Sequence, residues 1–193
     1  MSADHRLSAA LRALAAALGE FPSPGMIIGG IAVIAAGVPR ETVDVDATVR
    51  GRDVDVDEAL AIFARHDVVP RIPDAREFAR ERHVLLLVHA PSGVTIEVSF
   101  AWLPFEEEAL SRARLIDLHG IPLRVARAED LIIYKAAAWR DRDRSDIERL
   151  LVLHLDAIDL ARVRGLIAEI AQVLEDPDRA QAFDRMVERA RKS

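Results

Sequence analysis

Met26-Ile-Ile-Gly-Gly-Ile-Ala-Val-Ile-Ala-Ala-Gly37 runs directly into Val38-Pro-Arg-Glu-Thr-Val-Asp-Val-Asp-Ala-Thr-Val49. The first half reads as strand, glycine turn and short helix. Met26 to Ile28 is apolar and β-prone, which suits a buried strand. Gly29 and Gly30 let the backbone turn sharply and approach a ligand closely. Ile31 to Ala36 reads as a short apolar helix, with Gly37 as its C-cap and Pro39 beyond to stop it.

The second half alternates. Val43, Val45, Ala47 and Val49 point one way, and Thr42, Asp44, Asp46 and Thr48 the other. Asp44 and Asp46 then share a face, about 6.6 Å apart along the strand. Two carboxylates that close repel each other unless a cation lies between them, and carboxylate oxygens suit a hard cation such as Mg²⁺. The glycine turn before a helix offers N–H groups to phosphate. Metal beside phosphate points to a nucleoside triphosphate site. The Asp-x-Asp spacing alone is weak, since it recurs at Asp53/Asp55, Asp55/Asp57, Asp141/Asp143 and Asp176/Asp178. Only the first copy lies on an alternating strand after a glycine-turned helix. The structural alternative is a solvated strand face beside an ordinary loop glycine pair.

Outward from this stretch, Leu7, Leu11, Leu14 and Leu18 predict a packing helix over 5–18, capped by Asp4 and ended by Gly19. Phe21-Pro-Ser-Pro-Gly25 is a rigid connector. After Arg50-Gly-Arg-Asp53, Asp57 is the expected N-cap of a helix through Leu60, Ile62 and Phe63. Val68 to Ile72 is a short strand or an extended loop. Arg71 to Arg82 is either a solvated segment or a substrate-facing lip with a phosphate-directed arginine. His83 to His89 and Val94 to Ala101 are strands joined by the turn Ala90-Pro-Ser-Gly93. Alternation places Glu97 on the polar face of the second. A helix over 106–113 and a hairpin around His119-Gly120 follow, with His119 structural. From Ala126 the pattern turns helical. Glu129 and Asp130 favour a first turn, Ser145-Asp-Ile-Glu148 matches a capping box that starts another helix, and further helices span about 159–174 and 177–191.

The chain has 193 residues, net charge −6, 51% apolar and 30% charged residues, and no cysteine. That fits one domain, or one with a small appendage, and a sizeable core. Disulfides and thiolate zinc sites are excluded. The acidic balance argues against broad nonspecific nucleic-acid binding, though not against a local basic patch. No run suits a membrane span, and the start lacks a signal-peptide pattern, so a cytoplasmic protein is expected.

Gly29-Gly30-Ile-Ala-Val33 followed by Arg40-Glu-Thr-Val-Asp44-Val-Asp46 resembles the signature of DNA polymerase β-like nucleotidyltransferases. The nearest branch is the small bacterial one related to abortive-infection and toxin–antitoxin (AbiEii-like) enzymes. The family more often carries Gly-Ser at the turn and aspartate at the third acidic position, where this chain has Gly29-Gly30 and Glu97. The resemblance covers roughly residues 26–151. With the pattern above it implies an α+β fold: a small mixed β-sheet core over 1–125 with flanking helices, then a C-terminal helical bundle over 126–193. It implies transfer of a nucleotidyl group from a nucleoside triphosphate such as ATP, with Mg²⁺ (Mn²⁺ as substitute). Asp44, Asp46 and Glu97 become metal ligands and, with Lys135, the catalytic set; Glu97 completes the metal site or draws the proton off the attacking hydroxyl. Gly29, Gly30, Arg40, Thr42, Lys135 and Asp146 become nucleotide-binding residues, with Asp146 positioning the lysine or an arginine. Each has a plainer reading: an exposed strand glutamate for Glu97, a snorkelling helix lysine for Lys135, and the N3 position of a capped helix for Asp146. Arg140, Arg142 and Arg144 either meet phosphate or RNA or pair with Asp141, Asp143 and Glu148. The acceptor stays open among tRNA or other RNA, protein and small molecule, and a toxin would need an antitoxin partner. A different class of function, a nucleotide- or metal-binding module or adaptor without turnover, is kept in view by Gly30 and Glu97.

Overall fold

The structure is a computed structural model that describes residues 3–52 and 55–192. Asp53, expected to lead the chain out of the second strand, lies outside the described residues. The chain forms two compact units, Met1–Ala32 with Glu41–Ala126, and Val33–Arg40 with Arg127–Ser193.

The first unit is built on a mixed sheet with strand order β3-β4-β5-β2-β1-β7-β6. The strands are β1 (Met26–Ile28), β2 (Val45–Arg50), β3 (Val68–Pro70), β4 (Val84–His89), β5 (Val94–Ala101), β6 (Arg114–Leu118) and β7 (Ile121–Val125). β2 runs antiparallel to β1 and parallel to β5, and β5 runs antiparallel to β4. One row of partners crosses the middle of the sheet: Leu86 of β4 stands opposite Glu97 of β5, Glu97 opposite Asp46 of β2, and Asp46 opposite Ile28 of β1. Val45, Ala47 and Val49 of β2 and Ile96, Val98 and Phe100 of β5 are buried, as alternation requires. Thr48 is also fully buried, and its hydroxyl donates to the Ser99 carbonyl at 3.2 Å. Helices α1 (Ala3–Gly19), α3 (Val56–Ala64), α4 (Ala75–Arg82) and α5 (Pro104–Arg112) belong to this unit. His119 and Gly120 turn the β6–β7 hairpin, both at positive φ.

Three local expectations are corrected here. β2 begins at Val45, so Val43, 82% exposed, is not a core residue and Asp44 lies just ahead of the strand. The cause is local: the Thr42 hydroxyl meets both the Asp44 carboxylate (2.8 Å) and its carbonyl (3.3 Å), a turn that competes with strand pairing. α1 starts at Ala3, which puts Asp4 inside its first turn rather than at the cap. Asp55, not Asp57, caps α3, accepting the Glu58 N–H at 2.7 Å, while Asp57 pairs with Arg76 and Arg80.

Helix α2 (Gly29–Ala35) starts in the first unit and ends in the second. Its end is a Schellman motif. The Gly37 N–H donates to Ile34 and the Val38 N–H to Val33, with Gly37 at φ 90°. The rest of the second unit is α6 (Ala128–Ala138), α7 (Asp141–His154), α8 (Leu160–Val173) and α9 (Pro177–Ala190), packed as α6 on α7 and α8, and α9 on α7 and α8. The capping box at Ser145 does not form. Trp139, in the left-handed conformation, ends α6, and the Asp143 carboxylate then accepts the Arg140 N–H at 3.1 Å. α7 therefore starts at Asp141, and Ser145 and Asp146 lie inside it. Among the described residues, no helix is long and apolar enough to cross a membrane.

Candidate active site

Gly29 closes β1 and opens α2 at φ +61°, a conformation that glycine adopts without strain. The space its missing side chain leaves is filled by a carboxylate. A Cβ there would sit 1.9 Å from Oδ2 and 2.6 Å from Cγ of Asp46. The register explains the contact, since Ile28 and Asp46 are partners across β1 and β2. Gly30 follows, buried, in the first turn of α2, where backbone N–H groups have no intrahelical acceptor. Asp46 and Asp44 are both half-buried. Thr42, through its 2.8 Å hydrogen bond, orients Asp44.

Glu97 stands beside Asp46 on the neighbouring strand. Its Oε1 takes a 2.6 Å contact from Arg71 Nη2, with both side chains partly exposed. Among the described residues, no group of three or more histidine and carboxylate side chains is disposed to cage an ion alone. Two aspartates beside an open backbone turn do fit Mg²⁺, which takes one or two carboxylates and fills its shell with water and substrate phosphate. The donor set is all oxygen, as that ion requires. A concavity of about 720 Å³ lies at the far ends of β2 and β5, lined by Gly51, Arg80, His83 and Trp102, and does not include these acids.

The second unit holds another charged cluster. Lys135 Nζ lies 2.7 Å from Asp146 Oδ2 and 3.3 Å from Asp143 Oδ1. Arg40 Nη1 reaches the same Asp146 oxygen at 2.7 Å, and Arg140 Nε meets Asp143 Oδ2 at 2.7 Å. Arg40, Lys135, Asp143 and Asp146 are buried, so Lys135 is not a snorkelling lysine. Nor is Asp146 a helix cap: it holds two cations from inside α7. Helical spacing through one continuous helix is not what joins Lys135 to Asp146; the turn at Trp139 folds α7 back on α6. Burial pushes the Asp143 carboxyl up, but the Arg140 hydrogen bond and the Lys135 charge outweigh it and hold the group below the usual carboxylate range.

Asp143 is the residue of this cluster that sequence reasoning passed over. It stood only as one member of a repeated Asp-x-Asp and as an ion-pair partner of nearby arginines. The available signal was its place three residues after Arg140, the spacing of a helix cap. In the structure Gly29, Asp46, Glu97, Asp44 and Thr42 gather within the first unit, and Arg40, Lys135 and Asp146 within the second.

The model of a family described as nucleotidyltransferase of unknown function (DUF6036) matches residues 10–192. Comparison with curated proteins finds no match. Among solved structures, the chain is similar to the antibiotic-resistance factor ANT(2″)-Ia in solution, with TM-score 0.57 and 19% identity over 90% of this chain and 95% of that one. A crystal structure of ANT(2″)-Ia in complex with adenylyl-2″-tobramycin gives TM-score 0.54 and 20% identity over 88% and 99% of the two chains. An antigenic nucleotidyltransferase-like protein from Paracoccidioides brasiliensis gives TM-score 0.54 and 17% identity over 93% of each. At these identities the likeness is one of fold.

Proposed function

The chain belongs to this family of nucleotidyltransferases, and is therefore a transferase; from that premise we propose that it moves a nucleoside monophosphate from a nucleoside triphosphate to an acceptor hydroxyl, at a centre built on Gly29, Asp44 and Asp46. The observation that carries this reading is the seating of the Asp46 carboxylate in the space beside Gly29. A carboxylate fixed against an open backbone turn has its phosphate partner beside it.

In this reading Asp44 and Asp46 hold Mg²⁺, or Mn²⁺ in its place. The bound ion offsets charge on the phosphate oxygens during in-line displacement. Gly29 and Gly30 offer backbone N–H groups to the β- and γ-phosphates, and Thr42 holds Asp44 in its working orientation. The acceptor oxygen attacks the α-phosphorus, the bond to the bridging oxygen breaks, and pyrophosphate leaves with the electron pair. The acceptor proton passes to Glu97, the general base. Arg40, Lys135 and Asp146 are assigned to the nucleotide by their resemblance to the family pattern. Asp143, which holds Lys135, joins them as a positioning residue.

The acceptor is set apart from the chemistry. ANT(2″)-Ia has been seen with an adenylylated aminoglycoside, so a small-molecule hydroxyl with ATP as donor is the first acceptor class to test. RNA ends, tRNA among them, and a protein hydroxyl follow from placing the chain in the AbiEii-like toxin branch, where an antitoxin would be its partner. Each α-labelled nucleoside triphosphate, incubated with Mg²⁺, the protein and a cell extract as acceptor pool, reports donor base and acceptor class together. Label transferred by the wild type and lost in Asp46→Asn supports the proposal. Triphosphate bound without any labelled product contradicts it.

A further inference from the structure

The concavity at the far ends of β2 and β5 lies within the first unit and outside the centre described above. Arg50, the last residue of β2, stands four residues beyond Asp46, about 13 Å along the strand. Its volume, about 720 Å³, falls in the range of small-molecule sites. Trp102 lines it and is 64% exposed. A lone exposed tryptophan needs no explanation. This one is stacked on His83, with ring centroids 5.7 Å apart and planes 29° apart.

Both rings stand on fixed backbone. The His83 N–H donates to the Ala79 carbonyl at 2.9 Å, and its carbonyl accepts the Phe100 N–H at 2.8 Å, which holds the residue at φ 55°. The Trp102 N–H donates to the Glu106 carboxylate at 3.1 Å. The floor is backbone. Gly51 donates its N–H to the Ala101 carbonyl, and a Cβ on Gly51 would come within 3.0 Å of that oxygen. Arg52, Arg80 and Glu107 complete the lining; Arg52 pairs with Glu107 at 2.9 Å and Arg80 with Asp57 at 3.1 Å. Each guanidinium carries five N–H donors, more than one carboxylate can accept. The site therefore offers a ring to stack on, N–H donors and a carboxylate acceptor.

We propose that this concavity is a nucleobase site: the ring stacks on Trp102, and its edge, which presents both donors and acceptors, meets Arg52, Arg80 and Glu107. Stacking on an aromatic side chain is how proteins hold an unpaired base. The balance of charges around the rings matches a neutral heterocycle rather than a run of phosphates. The net charge of −6 points the same way, since tracking a phosphate backbone needs a basic surface. A free nucleoside and an unpaired base of RNA share this ring chemistry. The inference does not rest on the reading of Asp44 and Asp46.

Titration of the full chain with adenosine, and separately with a ten-nucleotide oligoadenylate RNA, tests it. Calorimetry in EDTA keeps metal-dependent binding out of the readout. Adenosine binding alone, or as tightly as the oligomer, identifies a free nucleoside as the ligand; tighter or exclusive binding of the oligomer identifies a base within a strand. Either supports the site. Trp102→Ala is expected to weaken whichever probe binds by about tenfold, and Trp102→Phe, which keeps a stacking ring, to restore most of the loss. Thermal unfolding checks that each variant is folded. Quenching of tryptophan emission in the wild type, abolished in Trp102→Phe, reads the stack directly. Binding of neither probe, or binding unchanged in folded Trp102→Ala, overturns the inference. So does binding lost in Asp46→Asn, which would move it to the transfer centre. None of these results removes the transfer reading, which the labelled-nucleotide reaction tests separately.

Discussion

Replacing Gly29 by alanine puts a methyl carbon 1.9 Å from the Asp46 carboxylate, where 3.0 Å is the least a Cβ tolerates. The carboxylate or the turn must move by the difference, 3.0 − 1.9 = 1.1 Å. Two penalties add. The left-handed φ costs a non-glycine residue about 1–2 kcal/mol, and overpacking adds about 1–3 kcal/mol. The sum, about 2–5 kcal/mol, corresponds to a fall in Tm of several degrees, at about 2–4 °C per kcal/mol for a chain of this size. Displacing a metal-ligating or phosphate-facing group by about 1 Å lowers transfer by about 100-fold. Gly93 separates the two effects. It has φ +70° but nothing within 4 Å of its Cβ position, so Gly93→Ala carries the backbone penalty alone and should keep full activity. Thermal unfolding and the labelled-transfer assay, run on both variants, provide the comparison. Gly29→Ala with activity within twofold of Gly93→Ala would refute the claim that Gly29 exists to seat Asp46.

Asp143→Asn should destabilise the protein by about 3 kcal/mol at neutral pH, since it leaves buried Lys135 with one carboxylate fewer. Because the folded Asp143 carboxyl lies below its ordinary value, its stabilisation is present above the unfolded pKa and is lost as pH falls through the folded one. Urea unfolding should therefore show the gap from wild type narrowing under acid conditions; a gap independent of pH contradicts the assignment. Ser145→Ala should change stability by less than about 0.5 kcal/mol, because α7 is capped at Arg140 and Asp143; a loss of about 1 kcal/mol or more, the usual worth of a helix cap, would restore Ser145 to that role. Thr42→Val removes the hydroxyl that orients Asp44 and should weaken Mg²⁺-dependent transfer several-fold with little change in Tm. An unaltered Mg²⁺ titration counts against that role.

The strands and the glycine turn were legible because each has a local cause. Apolar alternation over Val94–Ala101, a turn at Ala90–Gly93 and a C-cap at Gly37 are written in neighbouring residues, and the structure has each of them. The α+β class follows from the same signals, and the solved nucleotidyltransferase structures share that fold. What went astray had competing local chemistry. Thr42 diverts Asp44 out of the strand, and Asp55 and Asp143 take capping roles that the spacing offered equally to Asp57 and Ser145. Contacts between distant segments were legible only through the family resemblance, which has Asp146 positioning the lysine or an arginine; both Lys135 and Arg40 meet it. Nothing in the order of residues says that Asp46 fills the side-chain space of Gly29 or that Arg71 reaches across a strand to Glu97. These depend on register and on how α6 and α7 fold back, which only the assembled chain displays.

The position of the transferred phosphorus tests the central claim most directly. Parallel reactions with α-labelled and γ-labelled triphosphate should place the α-label on the acceptor and release the γ-label as pyrophosphate, one per transfer, with both signals lost in Asp46→Asn. Acceptor carrying the γ-label, or transfer that survives Asp46→Asn, would contradict it.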